Sequence, residues 1–278
     1  MYVIETLLVD NGSLAPAATL QLRALAKAMG KNIGMEVTPV SLLHSTGVST
    51  PAIGDIAAEI LEPALELRLM QGKTDFIVVP LFFGASRALT EYMPERVAHL
   101  RKTYPDLSVK LAPVLFQKED DRLARILADQ VRALLREDTR RVALVDHGSP
   151  VEAVTLVRNQ LAEQLRGILG PNFQVAAASM ERREGAEYDF CEPLLATLLR
   201  KPGWNSGDVI VAMQFLLPGR HAGSNGDVAD ICNEAETASG GELRVHLTGL
   251  VAEHPLLVQI LADRWRRGIA MGPGSAML

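Results

Sequence analysis

Short apolar runs and amphipathic stretches alternate along the whole of this 278-residue chain. Runs such as DFIVVPLFF (Asp75–Phe83) and DVIVAMQFLL (Asp208–Leu217) lack the regular polar interruptions of a half-exposed strand. Continuous apolar strands suit a parallel sheet covered on both faces. The pattern predicts strands near 3–10, 35–40, 75–82 and 108–115, then near 141–146, 173–180, 207–215 and 243–250. Helices are predicted near 15–30, 53–72, 91–103 and 119–136, then near 151–168, 187–200, 227–238 and 255–269. Strand–helix alternation with short loops gives βαβ units and a doubly wound α/β fold. The tail Met271–Leu278 carries neither pattern and is expected to fray.

The two halves of the pattern are copies. Leu8–Leu20 reads LVDNGSLAPAATL and Leu144–Leu156 reads LVDHGSPVEAVTL, so Asp10, Gly12 and Ser13 recur 136 positions later as Asp146, Gly148 and Ser149. Val37–Leu43 (VTPVSLL) aligns with Val175–Glu181 (VAAASME), and Leu81–Ala88 (LFFGASRA) with Gln214–His221 (QFLLPGRH). The expected fold class is therefore α/β, with two tandem, doubly wound, mainly parallel four-stranded lobes related by internal duplication. The repeat places the lobes at 1–138 and 139–278, joined by the charged link Arg136–Arg141. The copies differ where chemistry would sit. Asn11, Leu43 and Ala88 in the first face His147, Glu181 and His221 in the second. One copy keeps reactive side chains, and the other reads as a degenerate site.

Ligands of doubly wound folds bind beyond the carboxyl ends of the strands. His147, Glu181 and His221 all follow predicted strands and can meet there. Two imidazoles and a carboxylate form an N,N,O donor set that suits Fe²⁺, Co²⁺, Ni²⁺ or Zn²⁺ and leaves positions open. Histidine also exchanges protons near neutral pH. Gly148, Gly219 and Gly223 flank the histidines and would let backbone approach a flat ligand. Arg182, Arg183 and Arg220 adjoin the site and could hold carboxylates of a polyanionic substrate. A single histidine after a strand is ordinarily a satisfied polar residue; three groups, each with an inert counterpart in the sister copy, argue for a site. Ser13 and Ser149 read as caps of the following helices. Asp10 and Asp146, present in both copies, read as structural, with Asp146 placed to orient His147. His44, His99 and His246 read as bystanders, and His254 as a helix start with Pro255 in the first turn. Neither GxGxxG, GxxxxGK[ST] nor a G-x-S-x-G elbow occurs.

Composition narrows the picture. At 48% hydrophobic residues each half can bury its own core. The net charge of −5 offers no electrostatic footprint for nucleic acid. No apolar run approaches the roughly 20 residues of a membrane span, and MYVIETLLVDNGS reads as a strand, not a signal peptide. Cys191 and Cys232 stand far apart without a CxxC, as two free thiols in a protein expected to be cytoplasmic.

The motifs VDHGSP (Val145–Pro150) and PGRHAG (Pro218–Gly223), together with the repeat, resemble the sirohydrochlorin chelatase family from Thr6 to about Arg266. That resemblance implies a two-lobed α/β protein, a monomer with an internal pseudo-twofold axis. It implies ATP-independent insertion of Co²⁺ or Fe²⁺ into sirohydrochlorin, in cobalamin or sirohaem biosynthesis. His147, His221 and Glu181 would serve as metal and catalytic residues, and Arg182, Arg183, Gly219, Arg220 and Ser149 would contact the tetrapyrrole. The metal enters as substrate, and no prosthetic group is implied. Many two-lobed relatives keep their histidines in the first lobe, whereas here that lobe holds Asn11 and Ala88. A non-catalytic metal or tetrapyrrole carrier and a metal-dependent hydrolase remain the alternatives.

Overall fold

The computed structural model describes residues 4–223 and 225–271; the tail beyond Met271 lies outside them. Eight strands and eight α-helices alternate. The first copy contains β1 (Glu5–Asp10), α1 (Pro16–Ile33), β2 (Val37–Ser41), α2 (Leu61–Met70), β3 (Asp75–Pro80), α3 (Met93–Arg101), β4 (Ser108–Leu111) and α4 (Arg122–Ala133). The second contains β5 (Arg141–Asp146), α5 (Glu152–Leu169), β6 (Gln174–Ser179), α6 (Leu195–Leu198), β7 (Gly207–Met213), α7 (Asp227–Ala238), β8 (Leu243–Leu247) and α8 (Leu256–Ala270). All strand pairs are parallel, in the orders β2-β1-β3-β4 and β6-β5-β7-β8. The two orders are the same order, as a duplication requires.

The register of the repeat is visible atom by atom. Asp10 pairs with Ser41 as Asp146 pairs with Ser179. Leu43 N–H donates to the Asn11 carbonyl at 3.2 Å, and Glu181 N–H to the His147 carbonyl at 3.2 Å. Leu81 N–H donates to Val9 at 2.7 Å, and Gln214 N–H to Val145 at 2.9 Å. Asn11 and Leu43 therefore hold the register positions of His147 and Glu181, and Leu81 holds that of Gln214, seven residues before Ala88 and His221 respectively.

Packing cuts the chain elsewhere than the repeat does. The expected lobes were 1–138 and 139–278. The compact units are Phe116–His254 on the one hand and, on the other, the described residues up to Leu115 with those from Pro255 onward. The fourth helix of each copy has been exchanged. In the first unit α8 packs on α1, β3 and β4. Its Gly268 leaves no room for a Cβ, which would meet Ala112 Cβ and Ile77 Cδ1 at 2.9 Å. Buried Arg264 donates to the Leu115 carbonyl at 2.7 Å. In the second unit α4 packs on α5 and β7. Gln130 there donates to the Leu250 carbonyl at 2.9 Å. An apolar helix face specifies burial but not the sheet that buries it, so periodicity alone places the cut at the repeat boundary.

Two predicted helices are shorter than expected. The 53–72 prediction becomes a 3-10 turn (Thr50–Ile53) and then α2 from Leu61, because Gly54 (φ 78°) and Asp55 (φ 60°) turn the chain out of the helix. The 187–200 prediction becomes a 3-10 segment (Ala186–Cys191) and the single turn of α6. Pro193 lies between them and offers no amide hydrogen to an intervening helix. Among the described residues no helix is long and apolar enough to cross a membrane. Cys191 and Cys232 are both free and buried.

Candidate metal-handling site

Three strand ends of the second unit build the site. His147 follows β5, Glu181 lies two residues beyond β6, and His221 lies in the loop between β7 and α7. The first two are joined tightly because Gly148 has φ 92°, and an added Cβ would stand 1.9 Å from the Glu181 carbonyl oxygen. Glycine at this position serves the approach of two strand ends, not the approach of a ligand. Gly12 (φ 93°) repeats the geometry in the first unit, where an added Cβ would stand 1.7 Å from the Leu43 carbonyl oxygen.

The loop carrying His221 shows why one copy holds a histidine free of a helix. In the first unit Ala88–Tyr92 coil as a π-helical turn that runs directly into α3. In the second, Pro218–Gly223 stays irregular and α7 begins only at Asp227. Gly226 packs so closely beneath His221 that a Cβ would meet the His221 carbonyl at 2.9 Å. Asp227 is thereby brought under the imidazole.

The side chains converge in part. The rings of His147 and His221 lie 4.5 Å apart at 72°. His147 Nε2 is 3.6 Å from Glu181 Oε1. That spacing is close to the roughly 3.3 Å between two ligands held about 2.0 Å from a tetrahedral ion. Both Nδ1 atoms are engaged. His147 Nδ1 donates to the Gly148 carbonyl at 3.0 Å, and His221 Nδ1 meets Asp227 Oδ2 at 2.6 Å. A carbonyl and a carboxylate accept only, which assigns the proton to Nδ1 and leaves each Nε2 lone pair available when the ring is neutral. Among the described residues no group of three or more His, Cys, Asp or Glu side chains is arranged to hold a metal ion; His147, Glu181 and His221 are neighbours on an accessible surface, not a formed coordination sphere. His147 is 46% exposed, Glu181 60% and His221 33%, so water and ligand both reach them.

Other expected contacts fall differently. Asp146 does not orient His147 through its ring. Its carboxylate accepts from Ser179 Oγ at 2.7 Å and from the Gly148 amide, and burial pushes its pKa up. Ser149 Oγ accepts from Val151 N–H at 3.1 Å, and Ser13 Oγ from Ala15 N–H at 3.1 Å. Val151 and Ala15 are the N-cap residues themselves, so each serine closes a turn ahead of its helix and does not cap it. Arg182 is committed to its own loop, 2.9 Å from Glu192 and 3.1 Å from Asp189. Arg183 is exposed. Arg220 is 84% exposed and only 3.8 Å from Asp227. Gly219 N–H donates to the Ala222 carbonyl at 3.0 Å and closes the loop around Arg220 and His221. Of the bystander histidines, His246 is bonded to Asp208 at 2.7 Å and His254 lies 3.6 Å from Asp129.

Asp227 is the residue that sequence reading passed over. An acid in the first turn of a helix is common there for the helix dipole alone, and only the structure shows that it bonds to the His221 imidazole.

Residues 5–134 match the CbiX family model. The match covers the first repeat, which holds Asn11, Leu43 and Ala88. No curated protein sequence matches the chain. Among solved structures, SirB from Bacillus subtilis with Fe³⁺ superposes with a TM-score of 0.71 at 16% identity, covering 99% of each chain. The sirohydrochlorin chelatase SirB from Bacillus subtilis subspecies spizizenii in complex with cobalt gives the same values. DR2241 from Deinococcus radiodurans, a multi-domain protein with structural similarity to chelatases, gives 0.61 at 17% identity over 95% of this chain and 55% of its own. The resemblance to chelatases read from the sequence thus holds for the fold over the whole chain.

Proposed function

We propose that the second unit inserts a divalent metal ion, Co²⁺ or Fe²⁺, into sirohydrochlorin without ATP, a step of cobalamin or sirohaem biosynthesis. The observation that carries this reading is the His147–Glu181–His221 group with both Nδ1 atoms tied down. It is a metal-binding set that is open to solvent and has proton acceptors beside it. The SirB structures with Fe³⁺ and with cobalt support metal handling on this fold. In the reaction, His147, His221 and Glu181 receive the ion and pass it to the macrocycle. The two pyrrole N–H protons leave as the ion enters; one is accepted by an imidazole Nε2 freed by the departing ion and the other by the Glu181 carboxylate. Arg183 and Arg220, the exposed guanidinium groups, face the carboxylates of the macrocycle. Arg182 instead shapes the loop behind Glu181.

The test is the change in sirohydrochlorin absorbance on adding Co²⁺, Fe²⁺ or Ni²⁺ to purified protein. His147→Ala should lower turnover by about 100-fold or more, and Asn11→Ala should leave it near the parent value. Equal losses in both variants would place the first unit in the chemistry. Binding of both ligands without turnover would make the protein a carrier.

A further inference from the structure

A guanidinium is buried beneath the site, and its counterpart in the first unit has been moved. Arg158 on α5 is 1% exposed. Its Nη1 donates to Ser179 Oγ at 2.5 Å and to the Cys191 carbonyl at 2.8 Å, while Nη2 reaches the Phe190 carbonyl at 3.4 Å. Asp146 Oδ1 lies 3.8 Å from Nη1 and accepts from the same Ser179 hydroxyl. One cation thus joins the end of β5, the end of β6 and the segment leading to Glu192. Asp146 adjoins His147, and Ser179 is two residues before Glu181.

In the first unit the matching α1 position is Leu22. The next residue, Arg23, takes over the loop carbonyls, donating to Ile53 at 2.5 Å, Ile56 at 2.7 Å and Ala57 at 3.2 Å. Ile56 and Ala57 are the counterparts of Phe190 and Cys191. The match follows from Ser41 N–H bonding to Glu59 as Ser179 N–H bonds to Pro193. The strand ends themselves receive no cation there. Asp10 Oδ1 finds no hydrogen-bond partner among the described residues, and a groove lined by Thr19, Leu22, Arg23 and Ser41 remains.

The comparison separates two jobs. Holding the loop carbonyls is done in both units, and an arginine at either of two adjacent positions does it. Driving the charge in beneath the strand ends is done only where the strand ends carry His147 and Glu181. Burying an arginine costs several kcal/mol of desolvation; the first unit buries Arg264 on α8 but drives no arginine in from α1, where Leu22 stands in place of Arg158.

We infer that Arg158 is a positioning residue for metal handling, holding the backbone of His147 and Glu181 in register through Asp146 and Ser179. This rests on the metal-insertion reading of the site, and the test keeps the two apart. The double substitution Arg158→Leu with Asn159→Arg installs the arrangement of the first unit, which satisfies the loop carbonyls. Ser179→Ala, a milder change, removes the hydroxyl that links Arg158 to Asp146 and leaves the bonds from Arg158 to the loop carbonyls in place. Co²⁺ affinity by calorimetry, turnover with sirohydrochlorin and thermal unfolding are measured for each. The expected result is cooperative unfolding, Co²⁺ binding weakened by about 10- to 100-fold and a parallel fall in turnover, with a smaller loss for Ser179→Ala. Parental Co²⁺ affinity and turnover in the folded variants would overturn the inference. If the parent binds Co²⁺ but shows no turnover, weakened binding in the variants still supports Arg158 and the insertion reading alone fails. A parent that does neither overturns both. If the double variant does not fold, Ser179→Ala decides.

Discussion

At the scale of single residues, the site depends on groups that never touch the metal. Asp227 fixes the proton of His221 on Nδ1 and aims Nε2 outward. Asp227→Asn should lower kcat/KM by about 10- to 100-fold with little change in thermal stability, read by steady-state kinetics and calorimetry. Asp10 is the mirror case, a buried carboxylate bonded by Ser41 and the Gly12 amide but left with Oδ1 unsatisfied among the described residues. Burial pushes its pKa from 3.8 to about 6. The folded state therefore prefers the protonated acid, so Asp10's contribution is most favourable below about pH 4 and is lost as pH rises through 6. At roughly 1.4 kcal/mol per pH unit, ionised Asp10 costs about 3 kcal/mol at pH 8. Asp10→Asn should raise the unfolding free energy at pH 8 by about 2 kcal/mol, and the gain should vanish near pH 4. A gain independent of pH would refute this account of Asp10. His147, Glu181 and His221 were legible in the sequence because each differs in kind from its partner in the repeat. Asp227 and Arg158 were not. Their types are ordinary at a helix start and on a charged helix, and only the path of the loop and the depth of α5 give them roles.

At the scale of elements, turns set what the strands present. The strands were legible to within a few residues because an apolar parallel strand has no polar alternative along its length. The helices after β2 and β6 were not, since Gly54, Asp55 and Pro193 act through backbone geometry that helix periodicity does not register. The Gly148 turn is one of the two tightest points, with Gly12 its counterpart. Gly148→Ala meets left-handed strain and the Glu181 carbonyl together, and should cost about 3 kcal/mol or more. Because the clash pushes on Glu181, turnover of the remaining folded protein should also fall, whereas Gly12→Ala should cost similar stability and spare turnover per folded molecule. Denaturant unfolding beside active-fraction kinetics would separate these effects. Equal turnover in the two variants would sink the assignment.

At the scale of the whole molecule, the repeat and the packing are out of step, and this was invisible in the sequence because both copies carry the same helix face. The exchange makes a sharp expectation about fragments. Residues 116–254 contain every helix packed on the second sheet and should fold cooperatively and bind Co²⁺. Residues 139–278 follow the repeat but lack α4, leaving α5 and β7 uncovered, and should aggregate or remain partly unfolded. Circular dichroism melts and calorimetry of the two fragments would show it; comparable folding of both would contradict the packing boundary. The same exchange orders events during synthesis. The second unit is continuous in sequence and is complete once residue 254 has left the ribosome. The first unit begins earlier yet ends later, because Ile77, Ala112 and Leu115 wait for α8, which is made after residue 254. The half that carries the reactive residues can therefore close while the older half still shows a bare sheet, and that half is the one most in need of a chaperone.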